Sequence, residues 1–212
     1  MTNLIIIRHG ESMGNQAGIF LGHKNLDLSP KGKMHAELAR DYFKNYKIDA
    51  VYSSDLLRAY NTAKPTADYF GLEINTSRNL REIFAGDWEG KPYAQIDEQY
   101  KYAWDVWLND IGSCTTTNGE SVKELSNRVC NEVLKIAEEN DGKTVLIATH
   151  ATVIRCLMTV FTGKTLAQMN DTPWTQNASI NFAEYNNGEL TFTKTNIIDH
   201  LGDLVTAFPE NV

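Results

Sequence analysis

Two kinds of apolar pattern alternate along the chain. The first is the short continuous run. Leu4-Ile5-Ile6-Ile7 and Thr144 to Thr149 (TVLIAT) read as strands buried on both faces, and Ala50-Val51-Tyr52-Ser53 as another short strand. The second is the helical stripe. Ser29-Pro30 has the form of an N-cap followed by proline at the first helical position, and Ala36, Ala39, Phe43 and Tyr46 line one face of the helix it opens. A helix from about Leu56 to Tyr69 follows the second strand, Gly71 closes it, and Leu72 to Asn75 suggests a further strand. Ser121 and Glu124 stand at capping-box spacing, and Val122, Leu125, Val129, Val133 and Ile136 form the stripe of the next helix. Asp141-Gly142 turns the chain into TVLIAT, and Ala151 to Phe161 is the helix expected behind it. Two edge strands are expected at Ser179–Tyr185 and Leu190–Thr195, joined by Asn186-Asn187-Gly188 as a turn.

Strand and helix patterns in alternation predict an α/β layer fold. Residues 77–120 are less regular, with Trp88, Tyr93, Tyr100, Tyr102, Trp104 and Trp107 and a short helix near 94–108. There is no repeat, low-complexity tract or Pro/Gly/Ser linker. The 212 residues suit one domain, or one domain with a large insertion.

Composition narrows the function. With 42% hydrophobic and 22% charged residues, this is a folded rather than a disordered chain. A net charge of −7 argues against a nucleic-acid binder and makes the placement of individual cations informative. The three cysteines, Cys114, Cys130 and Cys156, are widely spaced and form no CxxC pair, so they read as reduced, inert thiols of a cytoplasmic protein. The first apolar run ends at Arg8, too short for a signal-peptide core, and no segment approaches bilayer-spanning length; no membrane association is expected.

Placed on this skeleton, the polar residues converge. Arg8-His9-Gly10 and His150 sit just past the ends of two strands, and Arg58 lies in the first turn of the helix after a third. In a parallel α/β sheet, ligands bind at the carboxyl ends of the strands, so two arginines and two histidines could meet at one edge. That set suits a tetrahedral anion: guanidinium forks match phosphate oxygens, and an imidazole can be nucleophile or donor. Glu82 is the nearby candidate for moving protons. Singly, each residue has a plainer reading. His9 and His150 could be satisfied histidines at strand ends, Arg8 and Arg58 ion-pair partners, Glu82 half of a solvated pair with Arg81, and Asn15 a turn-former. His35 reads as structural or solvated, His23 as a loop residue outside the substrate, and His200 is unassigned. The aromatics of 88–107 read first as core. No HExxH or paired His/Cys spacing suggests a metal, and no Walker-type loop occurs.

Seven ordered stretches resemble one family. Leu4 to Ser12 (LIIIRHGES) with Asn15, Asp27-Leu28-Ser29 with Gly32, Ser53 to Ala59 (SSDLLRA) with Thr62-Ala63, Glu82 with Gly86 and Trp88-Glu89-Gly90, Asn118-Gly119-Glu120-Ser121, Ala148-Thr149-His150 with Val153-Ile154-Arg155, and Asn177-Ala178-Ser179 are similar to motifs of the histidine phosphatase superfamily, the phosphoglycerate mutase-like proteins. The resemblance runs from about residue 3 to 185. It implies a three-layer α/β/α sandwich with a mostly parallel sheet, as a single domain over 1–212 with a small helical cap insertion at about 88–118. It also implies roles. His9 attacks phosphorus and forms a phosphohistidine. Arg8, Arg58 and His150 hold the phosphoryl oxygens, with Asn15 and Ala151 at the same seat. Glu82, protonated at the start beside a phosphate dianion, serves the leaving oxygen and then water. No cofactor and no metal are implied, the partner is a small-molecule phosphomonoester, and a homodimer is left open.

The family contains phosphatases and mutases. Cofactor-dependent phosphoglycerate mutases carry an adjacent arginine pair in the cap. Here the cap has only Lys91 and Lys101 against Glu89, Asp97, Glu98, Asp105 and Asp110; Ala85 replaces a tyrosine and Leu21 a small hydroxyl residue. An acidic, aromatic cap holds a bisphosphate poorly, so a hydrolase is expected ahead of a mutase or a catalytically silent phospho-ligand binder. The aromatics suggest a leaving alcohol with a flat or apolar part, aryl or nucleoside-like. Ala151 stands where many members have glycine, which alanine can replace if the local torsions are ordinary.

Overall fold

A computed structural model describes residues 1–206. Its strands are β1 (Thr2–Arg8), β2 (Ala50–Ser54), β3 (Ile74–Ser77), β4 (Thr144–Thr149), β5 (Ile180–Asn186) and β6 (Glu189–Ile197), and its helices α1 (Met13–Ala17), α2 (Pro30–Phe43), α3 (Leu57–Phe70), α4 (Tyr93–Gln99), α5 (Lys101–Asn109), α6 (Val122–Glu139) and α7 (Ala151–Phe161). The strands form one six-stranded sheet in the order β3-β2-β4-β1-β5-β6. The β3/β2, β2/β4 and β4/β1 pairs are parallel, and β5 runs against its neighbours β1 and β6.

Alternation along the central strands builds the layers. Leu4, Ile6, Val145 and Ile147 pack in one apolar cluster with Val129 and Val133 of α6 and Leu157 of α7. Their neighbours Ile5, Ile7, Leu146 and Ala148 pack in another with Ala39 and Phe43 of α2 and Ala63 and Ala67 of α3. Both faces of β1 and β4 are therefore covered, which is why they are continuous apolar runs, and the architecture is an α/β/α sandwich. Trp88, Trp104 and Trp107 join the α6/α7 cluster, so the segment carrying α4 and α5 shares the core of that face.

Four expectations need correction. Leu72 does not open β3: its N–H donates back to Ala67 O in the turn that closes α3 around left-handed Gly71, so the strand starts at Ile74. The helix near 94–108 is two helices, because Tyr100 leaves helical torsions (φ −128, ψ 37). Tyr46 lies beyond α2, which ends at Phe43, and is exposed, stacking on Tyr42 and Phe182 at the surface rather than in the core. Of the two late strands only β6 is at the edge, since β5 pairs with β1. Their connection is the two-residue turn Asn187-Gly188, both at positive φ (50° and 89°), the geometry that matches the twist of a hairpin.

The Ser121 hydroxyl caps α6 by accepting from Glu124 N–H (3.1 Å), while the Glu124 carboxylate accepts from Ser121 N–H (2.9 Å). Ser121→Ala should cost about 1 kcal/mol. In a domain of this size that lowers Tm by roughly 2–4 °C, measurable by calorimetry, with the folded secondary structure unchanged.

Candidate active site

β1 and β4 pair with Arg8 opposite Thr149, so the next residues, His9 and His150, leave the sheet side by side. His9 N–H extends the ladder to Thr149 O (2.9 Å). The two imidazoles meet edge to face, centroids 5.2 Å apart. The helices reached from these strands, α2 and α7, lie on opposite faces of the sheet, which opens a crevice at the strand ends. The loop after β1 is pressed against α2: a Cβ on Gly32 would lie 1.8 Å from Glu11 O, so only glycine lets the helix approach. Gly10 N–H donates to Thr62 Oγ1, whose hydroxyl donates to Arg58 O, tying the loop to α3.

Hydrogen bonding orients each side chain. The His9 Nδ1 lies 2.7 Å from Gly10 O. A carbonyl only accepts, so Nδ1 carries the proton and Nε2 keeps its lone pair. Burial first, then the charges of Arg58 and Arg8, hold His9 well below its ordinary 6.5, so the imidazole is neutral. Arg8 Nη1 donates to Thr175 O (2.6 Å), and Arg58 donates to Gly22 O (2.8 Å) and Lys24 O (3.0 Å). Burial pulls both guanidinium groups down to about 10, with Glu82 opposing, so both stay charged at neutral pH. His150 is fully buried, its two ring nitrogens find no partner among the described residues, and burial followed by Arg58 and His9 keeps it well below 6.5.

Arg8, His9, Asn15, Arg58, Glu82 and Ala151 line one cleft; His150 sits deeper, against His9, and does not line it. Arg81 pairs with Asp55 through two bonds (2.6 and 2.5 Å), not with Glu82. The Glu82 carboxylate instead accepts from Ile83 N–H and from Thr152 N–H in the first turn of α7. Its backbone is suspended: the Glu82 carbonyl accepts from His23 Nε2 (2.9 Å) and Arg128 Nη2 (2.8 Å). Asn15 is both turn-former and wall. Its Oδ1 accepts from the Ser12 N–H and hydroxyl and from Asn177 Nδ2, so its amide N–H₂ takes no part in the turn. Ala151 is the first residue of α7 and has ordinary helical torsions, so the missing glycine distorts nothing. His35 is structural: its Nδ1 accepts from Glu11 N–H and its Nε2 donates to Leu204 O. Cys114 and Cys156 are buried, burial raises all three thiols, and none lines the cleft. Not foreseen as wall residues are Phe20, Trp174, Gln176, Asn177 and Thr206. They lie in loops or, like Thr206, beyond the last strand, where apolar periodicity gives no signal.

Residues 4–198 match the model of the histidine phosphatase superfamily, branch 1. The chain belongs to this superfamily. It is 29% identical over 206 residues to phosphoserine phosphatase 1 of Hydrogenobacter thermophilus, covering 96% of each chain. It is 28% identical over 155 residues to the adenosylcobalamin/alpha-ribazole phosphatase of Escherichia coli strain K12, covering 73% of this chain and 76% of that one. The structure of Bacillus stearothermophilus YhfR superposes with a TM-score of 0.91 at 27% identity, over 95% of this chain and 100% of the other. Among the described residues, no helix of this family member is long and apolar enough to cross a membrane.

All five histidines are held below 6.5, burial being the first cause at each, and His200 falls to about 4. Unfolding frees them to titrate near 6.5, so below that pH the unfolded chain binds more protons than the folded one. Stability is fully present above about 6.5 and is lost as pH falls. Thermal unfolding from pH 8 to 5 should give a flat Tm down to about 7 and a steep fall below it. A Tm unchanged at pH 5 would mean that these imidazoles are not held neutral.

Proposed function

We propose that this chain is a metal-independent phosphomonoester hydrolase that works through a phosphohistidine on His9. The observation that carries the reading is the His9 imidazole, neutral and tautomerically fixed by Gly10 O, in a cleft that Arg8 and Arg58 also line. Nε2 attacks phosphorus and the bond to the alcohol oxygen breaks. Arg8 and Arg58 stabilise the charge on the phosphoryl oxygens, with Asn15 and the Ala151 end of α7 at the same seat and His150 packed behind His9 as the deepest member of the set. Glu82 gives its proton to the leaving oxygen; in the second step it takes one from water, which attacks the phosphohistidine and releases inorganic phosphate.

Water is the second acceptor because the cap offers a second phosphate no cation. Lys91 donates to Asp87 O, Lys101 bonds Asp97 and Asp105, and neither lines the cleft. The substrate is a small-molecule phosphomonoester, the chain acts as one domain with residues 88–118 as its cap, and three free thiols suit the cytoplasm.

Hydrolysis of p-nitrophenyl phosphate should persist in the presence of a chelator, and His9→Ala should remove both turnover and acid-labile phosphate labelling. Efficient interconversion of 2- and 3-phosphoglycerate without hydrolysis would sink the hydrolase, and labelling that survives in His9→Ala would move the nucleophile elsewhere. Glu82→Gln should lower kcat/KM, which reports transfer of the phosphoryl group to His9, by about 10²–10⁴-fold on an alkyl phosphate. The effect should be smaller on p-nitrophenyl phosphate, whose leaving oxygen needs a proton less; equal losses would deny Glu82 the role of acid.

A further inference from the structure

The cleft continues beyond the phosphate seat as a slot walled by Ile19, Phe20, Tyr93, Trp107 and Trp174. Phe20 stands edge-on to Trp107 (centroids 5.2 Å, 74°) and to Tyr93 (6.3 Å, 82°), and Trp174 lies at 6.1 Å from Trp107. Trp174 is braced by Arg155, whose guanidinium carbon lies 4.3 Å from the ring centroid while its Nε donates to Thr172 O (2.7 Å). The rings hold one another, so the slot is formed before a ligand arrives and costs little ordering on binding.

Two observations define what fits. The first is charge. The Arg, Lys, Asp and Glu side chains lining the cleft are Arg8, Arg58 and Glu82, which the phosphoryl chemistry uses, and residues 207–212 (AFPENV) contain no Lys or Arg. A leaving group with its own ammonium and carboxylate, as in phosphoserine, would give up water at both charges without gaining an ionic partner for the carboxylate. The second is the indole N–H of Trp107. It is buried and finds no acceptor among the described residues, a costly state for a donor that a ligand acceptor would relieve.

We propose that the alcohol displaced from phosphate is a flat, uncharged aromatic or heteroaromatic group carrying a hydrogen-bond acceptor for Trp107 Nε1–H. This rests on the hydrolase reading above and separates the chain from the phosphoserine phosphatase among its relatives.

The test compares primary-alcohol esters, so that the leaving oxygens are alike: phosphoserine, 2-naphthylmethyl phosphate and a set of quinolinylmethyl phosphates that differ in the position of the ring nitrogen. With the unaltered protein, kcat/KM for 2-naphthylmethyl phosphate should exceed that for phosphoserine by roughly a hundredfold, and one quinolinylmethyl isomer should be better still. Trp107→Phe should lower that isomer by about tenfold while changing 2-naphthylmethyl phosphate much less. Phosphoserine turned over as well as the aromatic esters would overturn the proposal and leave the hydrolase standing. Equal loss on both aromatic esters in Trp107→Phe would overturn the acceptor contact. If no ester is hydrolysed, p-nitrophenyl phosphate included, the hydrolase reading fails and the proposal with it.

Discussion

Everything at the cleft depends on the register in which β1 lies against β4. With Arg8 opposite Thr149, His9 and His150 leave the sheet as neighbours; one residue of slip would separate the rings and turn Arg8 to the other face. The apolar alternation does not set this register by itself, because both faces of both strands are buried. A side chain at the start of β1 adds to it: the Thr2 hydroxyl donates to Ala137 O and Asn140 O, which ties β1 to the end of α6, the helix that leads into β4. The same two strands that make the core also aim the chemistry, and a strand end is where a backbone stops pairing and can present side chains.

In an acidic chain the few cations at the cleft carry the proposed anion seat, and the way they are held matters. Arg8 donates to Thr175 O, and Arg58 to Gly22 O and Lys24 O. Carbonyls orient a guanidinium without neutralising it, whereas a close carboxylate would compete with phosphate. Glu82 is the carboxylate whose charge both arginines feel, and it is turned toward Thr152 N–H at the start of α7. The arginines in turn help keep His9 neutral. One arrangement thus sets two charged guanidinium groups beside a neutral imidazole with a free lone pair, as the proposed phosphoryl transfer requires.

Most of the framework was legible because its signals are local and strong. The TVLIAT run is β4 residue for residue, the helix expected behind it is α7 from Ala151 to Phe161, and the Ser121/Glu124 spacing is the cap of α6. The convergence of Arg8, His9, Arg58 and His150 followed from strand ends alone, before any resemblance. What failed depended on contacts that spacing does not encode. Leu72 belongs to a helix-closing turn, and Tyr100 breaks a pattern whose apolar residues continue through it. Phe20 and Trp174 lie in loops 154 positions apart in number, and only the fold brings both to Trp107. Asn177 was visible within a motif, but not that its amide donates to His9 O and steadies the His9 backbone.

The proposed proton-transfer group poses a different problem from the proposed nucleophile, since Glu82 sits in a loop rather than at a strand end. A loop residue has no ladder to fix it, and a displacement of about 1 Å at a reacting group can cost on the order of a hundredfold in rate. Here the fixing is done from α6. Arg128 is clamped by Glu120 through Nε and Nη2 (2.6 and 2.9 Å) and donates onward to Asn79 O, Arg81 O and Glu82 O. Glu120 also accepts from Phe84 N–H, two residues past the acid, and His23 adds a second donor to Glu82 O. The Thr149 hydroxyl closes the frame by donating to Leu80 O, one residue before His150. The loop carrying Glu82 is therefore referenced to the strand that presents His150 and to the helix that precedes it. The sheet and α6 hold the groups proposed to react, while the slot beyond them is walled by loop and cap residues that hold none of those groups, so under the proposed function the alcohol is selected there without disturbing the geometry of transfer.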